Sequence, residues 1–496
     1  MATHAHPELF RPLNYRRLGR TQFFLSPLGF GARRLGQEQK RGSTYPGIEP
    51  RPTQRELLEI ALKSGINWID TSSCYPLGDA SGLSEIQVGE ILTQITSQGA
   101  TKALSGSTHA NESAPIVVIT KAGISDTTGS QIDISPRALK LSLERSRDHL
   151  RQATLQVLLL QDVDHLLQQA VAPLEYYQML DEALTFLESE VQSGRLMKYG
   201  LSCRGLSEPR ESQTFTSLEA LVDLAQERGL QNFAVLEFPL NLLEPGALLE
   251  PHTARGEPLI DFASRNHFGL LAHRAWNVLP SDRLAAPVLP SSVNFKPVAP
   301  EHNLPRLQEA LEQLLVLESQ LFERNPTLSR RFAHFGHTLS NNRKTLWNWL
   351  KFNGYLNQRI LPGLQALREE LKATPLLGHW LQSYESKLNE VLSLMTQALY
   401  EQTAEVALQR AALLDHLTPE LQSTPSLADK ALRSVLSVPP LSGIAVGVST
   451  HQQLEAALQA AQAPLLQSRT SPDLFDTFNQ LMIAAPQDLP SSPSSH

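Results

Sequence analysis

Several protein classes are excluded by what the sequence lacks. Only two cysteines, Cys74 and Cys203, stand in 496 residues. They cannot make a disulfide framework, and a reducing cytoplasm is the expected setting. No uncharged apolar run approaches the ~20 residues of a membrane span. The opening MATHAHPELFRP carries no apolar core behind a basic start, so no signal peptide is expected. Lys and Arg number 43 against 50 Asp and Glu, a formal net charge of −7, with no dense basic block. Neither nucleic acid nor an anionic membrane is therefore expected as the main partner. Charged residues make up only 19% and hydrophobic residues 41%, which allows a large core and argues against wholesale disorder. Length alone suggests about three domains, although an α/β barrel can use 250 or more residues as one unit.

What the sequence contains is an alternation. Short apolar runs occur at 27–31, 67–69, 116–119, 157–160, 199–201, 233–236 and 268–272. Several are apolar without interruption, as strands buried on both faces should be. Amphipathic stretches lie between them at 54–63, 84–95, 136–150, 180–193 and 218–228, each long enough for the crossover of a βαβ unit. An eighth run, 444–448, comes far later, with helical stretches at 427–437 and 452–462. Eight such units predict an α/β fold, a (β/α)8 TIM barrel with an all-helical insertion between strand 7 and its following helix. The expected divisions are a barrel over 14–284 and 427–480, an insertion over 285–426, and flexible termini at 1–13 and 481–496. The insertion opens with a Pro-rich stretch (285–305) that reads as a linker. Helical spacing then follows in Leu307, Leu311, Leu314, Leu315, Leu321 and Phe322, in an aromatic stretch at 346–356, and from Leu381 to Leu399. A small bundle with this stripe as its core is expected. By chain order the insertion is a βα-loop, which would emerge on the catalytic face as a lid, a pocket wall, or a contact for self-association or a protein partner.

Barrel enzymes carry their chemistry where strands end. The second run ends in Asp70, the third in Thr120-Lys121, the fourth in Gln161-Asp162, the fifth in Ser202-Cys203, the sixth in Glu237 and the seventh in His273-Arg274. The eighth leads into Gly447-Val448-Ser449. Asp70 and Lys121 on adjacent strands would form an ion pair, since neither charge persists buried alone. That pair could simply close the barrel. Tyr75, five residues past Asp70, offers more. A phenol holds its proton at neutral pH and can still act as a general acid. Asp–Lys–Tyr is a coherent proton relay for carbonyl reduction. Cys74 and Cys203 read as small buried thiols.

These residues resemble the aldo-keto reductase superfamily. YRRLGRTQFFLSPLGFGARRLG is similar to that family's first hairpin and first barrel strand. GINWIDTSSCYPLGDASGLSEIQVGEIL is similar to the segment with its Asp and Tyr, VVITKAG to its Lys strand, and SGRLMKYGLSCRGL to its G-K-I-R-x-I-G-V-S-N segment. ALRSVLSVPPLSGIAVGVSTHQQLEAAL is similar to its C-terminal phosphate-binding segment. The resemblance implies hydride transfer between NAD(P)H and an aldehyde or ketone, without metal and without a Gly-rich dinucleotide fingerprint. Tyr75 would be the acid, Lys121 would lower its pKa and Asp70 would hold Lys121. Gln161 stands where the family usually has His; its amide can donate a hydrogen bond but cannot become cationic. Ser202, Cys203 and Glu237 would meet the nicotinamide carboxamide, with Cys203 at an Asn position and Glu237 at a Gln position. His273 would stack on the nicotinamide ring and Arg274 would meet the pyrophosphate. Gly447 and Ser449 would approach the adenosine phosphates, with Gln453 nearby where some members have Arg. NADP is the family default; NAD stays open, because 447–457 holds no Lys or Arg. The departures at 161 and 203 leave a second reading, a cofactor-binding sensor or scaffold with weak or no turnover.

Overall fold

The computed structural model describes residues 13–36, 52–78, 81–97, 115–125, 131–169, 171–276, 300–342, 346, 349–372, 377–467 and 471–484. The expected termini at 1–12 and 485–496 and the linker at 285–299 lie outside the described residues. The chain divides into two compact units, Met1–Trp276 with Leu414–His496, and Asn277–Leu413. The second unit differs at both ends from the insertion expected from the sequence, 285–426.

The first unit opens with a short antiparallel hairpin, β1 (Arg16–Arg17) and β2 (Phe24–Leu25). Eight parallel strands then close a barrel: β3 (Leu28–Gly31), β4 (Trp68–Asp70), β5 (Val117–Ala122), β6 (Leu155–Gln161), β7 (Leu196–Ser202), β8 (Phe233–Pro239), β9 (Gly269–His273) and β10 (Gly443–Val446). Each barrel strand pairs with its neighbour in chain order, and β10 closes on β3. Helices at Gln54–Lys63, Pro136–Leu150 and Leu218–Arg228 coincide with the amphipathic stretches. Their ends follow from local chemistry. Thr53 and Glu56 form a reciprocal capping box, and the Ser135 and Ser217 side chains accept from Ala138 and Ala220 N–H, satisfying amides that the first turn leaves orphaned. The helix expected from 180 begins at Pro173 instead. Proline is suited to a first turn, where its missing N–H costs nothing.

Inside the barrel, side chains alternate. Trp68, Val117, Ile119, Val157, Leu159, Val235 and Leu271 share a core cluster with Leu18, Phe23 and Leu25 from the hairpin region. The hairpin thus packs with the barrel interior. Trp68 fits because Gly29 and Gly443 face it; a Cβ would fall 2.2 Å and 2.8 Å from its ring atoms. Two residues beyond the apolar row, the same inward positions become polar: Asp70 after Trp68, Lys121 after Ile119, Gln161 after Leu159, Glu237 after Val235 and His273 after Leu271. A period of two therefore delivers five functional groups to one end.

Gly200 fixes how β7 meets β8. The register shifts between Tyr199 and Gly200, and a Cβ at 200 would lie 1.6 Å from the Val235 carbonyl oxygen. Neither backbone has room to yield. Gly200→Ala is expected to cost about 3 kcal/mol through overpacking, read as a lower urea midpoint. An unchanged midpoint would contradict this packing.

The second unit is helical as described: Pro300–Arg324, Pro326–Phe332, Phe335–Asn341, Trp349–Tyr355, Leu361–Leu371 and Gly378–Leu417, the last running on into the first unit. The stripe is its core, with Leu307, Leu311, Leu314, Leu321, Tyr384, Leu388, Val391 and Met395 buried together. Phe322 is a correction: it is 42% exposed, with the Arg330 guanidinium over its ring. Buried Glu318 accepts from Gly336 N–H, His337 N–H and Tyr384 Oη at 2.7, 3.1 and 2.9 Å. It caps the helix Phe335–Asn341, whose own N-cap residue supplies no side-chain bond. Two boundaries also differ from expectation. Residues 300–305 already belong to the first helix, and 481–484 end the helix Ser471–Ala484.

Candidate active site

Lys121 is the centre of the polar end. It is 2% exposed, between Asp70 at 8% and Glu237 at 1%. Its Nζ donates to Asp70 Oδ1 and lies 3.1 Å from Glu237 Oε2. Glu237 Oε2 also accepts from Ser202 Oγ at 2.5 Å. Glu237 Oε1 is buried without a hydrogen-bond partner among the described residues. Burial works against the Lys121 charge, but Asp70 and Glu237 outweigh it and hold the ammonium above its ordinary pKa. Burial and Glu237 push the Asp70 carboxyl up to about 7, against the opposing pull of Lys121. Burial also raises the Glu237 carboxyl, yet Lys121, His273 and Ser202 leave it below its ordinary value.

Tyr75 arrives from the loop after β4. Backbone bonds pin that loop: Tyr75 N–H donates to Ser72 O, and Tyr75 O accepts from Gly82 and Ser84 N–H, at 3.0–3.1 Å. Lys121 Nζ and the Arg33 guanidinium each lie 5.8 Å from the Tyr75 ring centroid. As expected, Lys121 acts to lower the pKa of this phenol, but it is outweighed. Burial raises its pKa, Lys121 opposes, and Asp70 and Glu237 add to the rise, so the net direction is upward. The second carboxylate spends part of the ammonium's field.

Gln161 sits at the top of β6 beside this group. Its Oε1 accepts from Ser72 Oγ at 2.7 Å, and its Nε2 donates to Tyr75 Oη at 3.4 Å and Asp162 Oδ2 at 3.3 Å. Ser72 thereby turns the amide so that its NH2 faces the phenol. Burial lowers the His273 pKa to about 4, so its imidazole is neutral at neutral pH. The expected residues Asp70, Tyr75, Lys121, Gln161, Ser202, Glu237 and His273 are thus brought together.

Others are placed differently. Cys203 is buried near Asp164, and its thiol pKa is raised well up by burial. Arg274 is exposed, in left-handed backbone (φ 62°), with Nη1 3.4 Å from Glu244 Oε1. A second constellation forms after β10. The helix His451–Gln462 is capped by Thr450, and Gln453 Oε1 accepts from Ser449 N–H at 2.6 Å. Arg34 Nη1 donates to Ser449 Oγ at 2.6 Å, and Gln54 Nε2 to Val448 O at 3.0 Å. A Cβ at Gly447 would meet nothing within 4 Å. Ser72, Arg33 and Arg34 were missed by the sequence reading. The signal for the two arginines was their place in GFGARRLG directly after the first barrel strand. Among the described residues there is no group of three or more His, Cys, Asp or Glu that could hold a metal ion, and no helix long and apolar enough to cross a membrane.

Comparison with known proteins gives the following. The sequence model of the Aldo/keto reductase family matches residues 27–272, from the start of β3 into β9. No curated protein matches the sequence significantly. Among solved structures, an aldo-keto reductase from Bacillus halodurans in its holo form aligns at 14% identity over 94% of this chain and 96% of its own, with a TM-score of 0.47. Two structures described as aldo-keto reductases from Pseudomonas aeruginosa align at 23% identity over 54% of this chain, covering 82% and 78% of theirs, with TM-scores of 0.35 and 0.33. The sequence match spans seven of the eight strands of a closed parallel barrel, and by it residues 27–272 form a domain of the aldo/keto reductase family.

Proposed function

We propose that the protein is an NAD(P)H-dependent oxidoreductase that reduces an aldehyde or ketone, or oxidises the alcohol, with Tyr75 as the proton donor. The observation that carries this reading is the convergence of Tyr75, Lys121 and Asp70 at the polar end of the barrel. Bound NAD(P)H would supply the hydride to the carbonyl carbon. Tyr75 would give its Oη proton to the carbonyl oxygen, and Lys121 would stabilise the phenolate left behind. Asp70 holds the Lys121 charge in place. The Gln161 NH2, oriented by Ser72, would donate a second hydrogen bond to the same oxygen. It provides a dipole where His would provide a titratable ring.

The residues present fit such a cofactor. Glu237 Oε1 is a buried acceptor without a partner among the described residues, matched to an N–H of the nicotinamide carboxamide, with Ser202 beside it. Neutral His273 suits stacking on the ring. Open space at Gly447 and the capped helix after it suit phosphate. Arg34 reaches Ser449 from another loop and supplies the cation missing from 447–457, which favours NADP. Arg34→Ala is therefore expected to weaken NADPH binding about tenfold while changing NADH binding far less. Fluorescence titration with each cofactor reads this; equal losses would remove Arg34 from 2′-phosphate recognition. Two buried thiols and a small-molecule substrate go with a cytoplasmic setting. The test of the whole reading is NADPH oxidation across a panel of aldehydes and ketones. Cofactor binding without turnover on any of them would favour the sensor.

A further inference from the structure

Lys121 carries a second carboxylate. Asp70 on β4 suffices to neutralise the ammonium, yet Glu237 reaches the same Nζ from β8, at 3.1 Å and almost fully buried. Two carboxylates and one ammonium carry an excess negative charge inside low-dielectric surroundings, where an uncompensated charge is costly. The cheapest relief is one retained proton. Glu237 Oε1 is buried and, among the described residues, has no hydrogen-bond partner to stabilise its share of the negative charge.

We propose that Glu237 is a positioning residue acting through Lys121: with Asp70 it forms a carboxylate pair that keeps one shared proton into the neutral range, and loss of that proton makes Tyr75 a poorer acid. The proposal rests on the oxidoreductase reading for its catalytic consequence, but the shared proton itself does not. The charges that face the cluster are Lys121 from β5, Asp70 from β4, Tyr75 and Arg33 from the loops after β4 and β3, and His273, Arg274 and Asp162 from the ends of β9 and β6. His273 stays neutral through this range, because burial holds it near 4. The group left to titrate is the carboxylate pair, in agreement with Asp70 being pushed up to about 7 by burial and Glu237. With the pair singly protonated, the charges on Lys121 and its partners cancel. Once the proton leaves, a net negative charge faces Tyr75 and disfavours its phenolate.

The experiment is a carboxyl titration followed by infrared or carbon NMR on wild type, Glu237→Gln and Glu237→Asp, with reduction rates over the same pH range. Wild type should show one carboxyl titrating near neutrality, and reduction should slow as pH rises through that step. Glu237→Gln should move the step down by about 1 pH unit or more and abolish the neutral limb of the rate profile. Glu237→Asp should retain both. A wild type with no carboxyl titrating above the ordinary carboxylate range would overturn the proposal without any variant having to fold. So would a Glu237→Gln step at its wild-type position. Absence of turnover in wild type, with the neutral carboxyl present, would count against the oxidoreductase reading and leave the shared proton established.

Discussion

Tyr75→Phe is expected to slow carbonyl reduction by about 10²–10⁴-fold, the range typical of a removed general acid, with little change in stability or cofactor binding. The small structural effect follows from the contacts. Among the described residues, the only hydrogen bond to the phenol oxygen is a long one, 3.4 Å from Gln161 Nε2, and that nitrogen also has Asp162. The phenyl ring keeps its place near Lys121 and Arg33. Stability should therefore move by less than about 0.5 kcal/mol. Single-turnover kinetics at saturating NADPH would measure the chemical step directly, and turnover at the wild-type rate would exclude Tyr75 as the donor. The direction of its pKa shift adds a second expectation. A phenol raised above its ordinary value remains protonated throughout the neutral range, as a donor must. The reverse reaction needs the phenolate as base, so alcohol oxidation should be slow at neutral pH and accelerate as pH rises.

How far this site could be read from the sequence depends on how locally each group is fixed. Asp70, Lys121, Gln161 and His273 end inward-facing rows of continuously apolar strands, so a period of two and a strand boundary located them. The helices at 54–63, 136–150 and 218–228 were bounded by capping serines and threonines that act within a few residues. Other features are set by pairings across the barrel. Glu237 was recognised as a polar residue ending a run and assigned to the cofactor carboxamide. Its approach to Lys121 depends on β5 and β8 presenting residues at one height, 116 positions apart in the chain. At Tyr75 burial, which the sequence does not display, outweighs Lys121, and Asp70 and Glu237 add to the rise. Ser72 was invisible because its effect is indirect: a small hydroxyl in a loop fixes which way the Gln161 amide faces. Phe322 followed helical spacing well enough to be placed in the bundle core, but spacing alone does not say how wide the buried face is.

Removing the ammonium should expose how much of the fold depends on the same cluster. Lys121→Met leaves Asp70 and Glu237 buried with no cation between them, and breaking a buried ion pair from one side typically costs about 3–5 kcal/mol. Without Lys121, burial and mutual repulsion raise both carboxyls in the folded state above their unfolded values. Such groups contribute stability that is fully present below the ordinary carboxylate range and is lost as pH rises through the raised folded values. Asp70 already stands near 7 with Lys121 in place, so the deficit of the variant against wild type should be small at about pH 5 and large at about pH 8. Urea unfolding at both values separates this from a packing defect, since a Met side chain that merely fits poorly would cost the same at each. Adding Glu237→Gln to Lys121→Met should recover most of the loss at the higher pH, because one of the two unpaired charges is gone. A double variant no more stable than Lys121→Met alone would mean that Glu237 is not part of the ionic balance at all, and the three-membered cluster would reduce to the simple pair of Asp70 and Lys121.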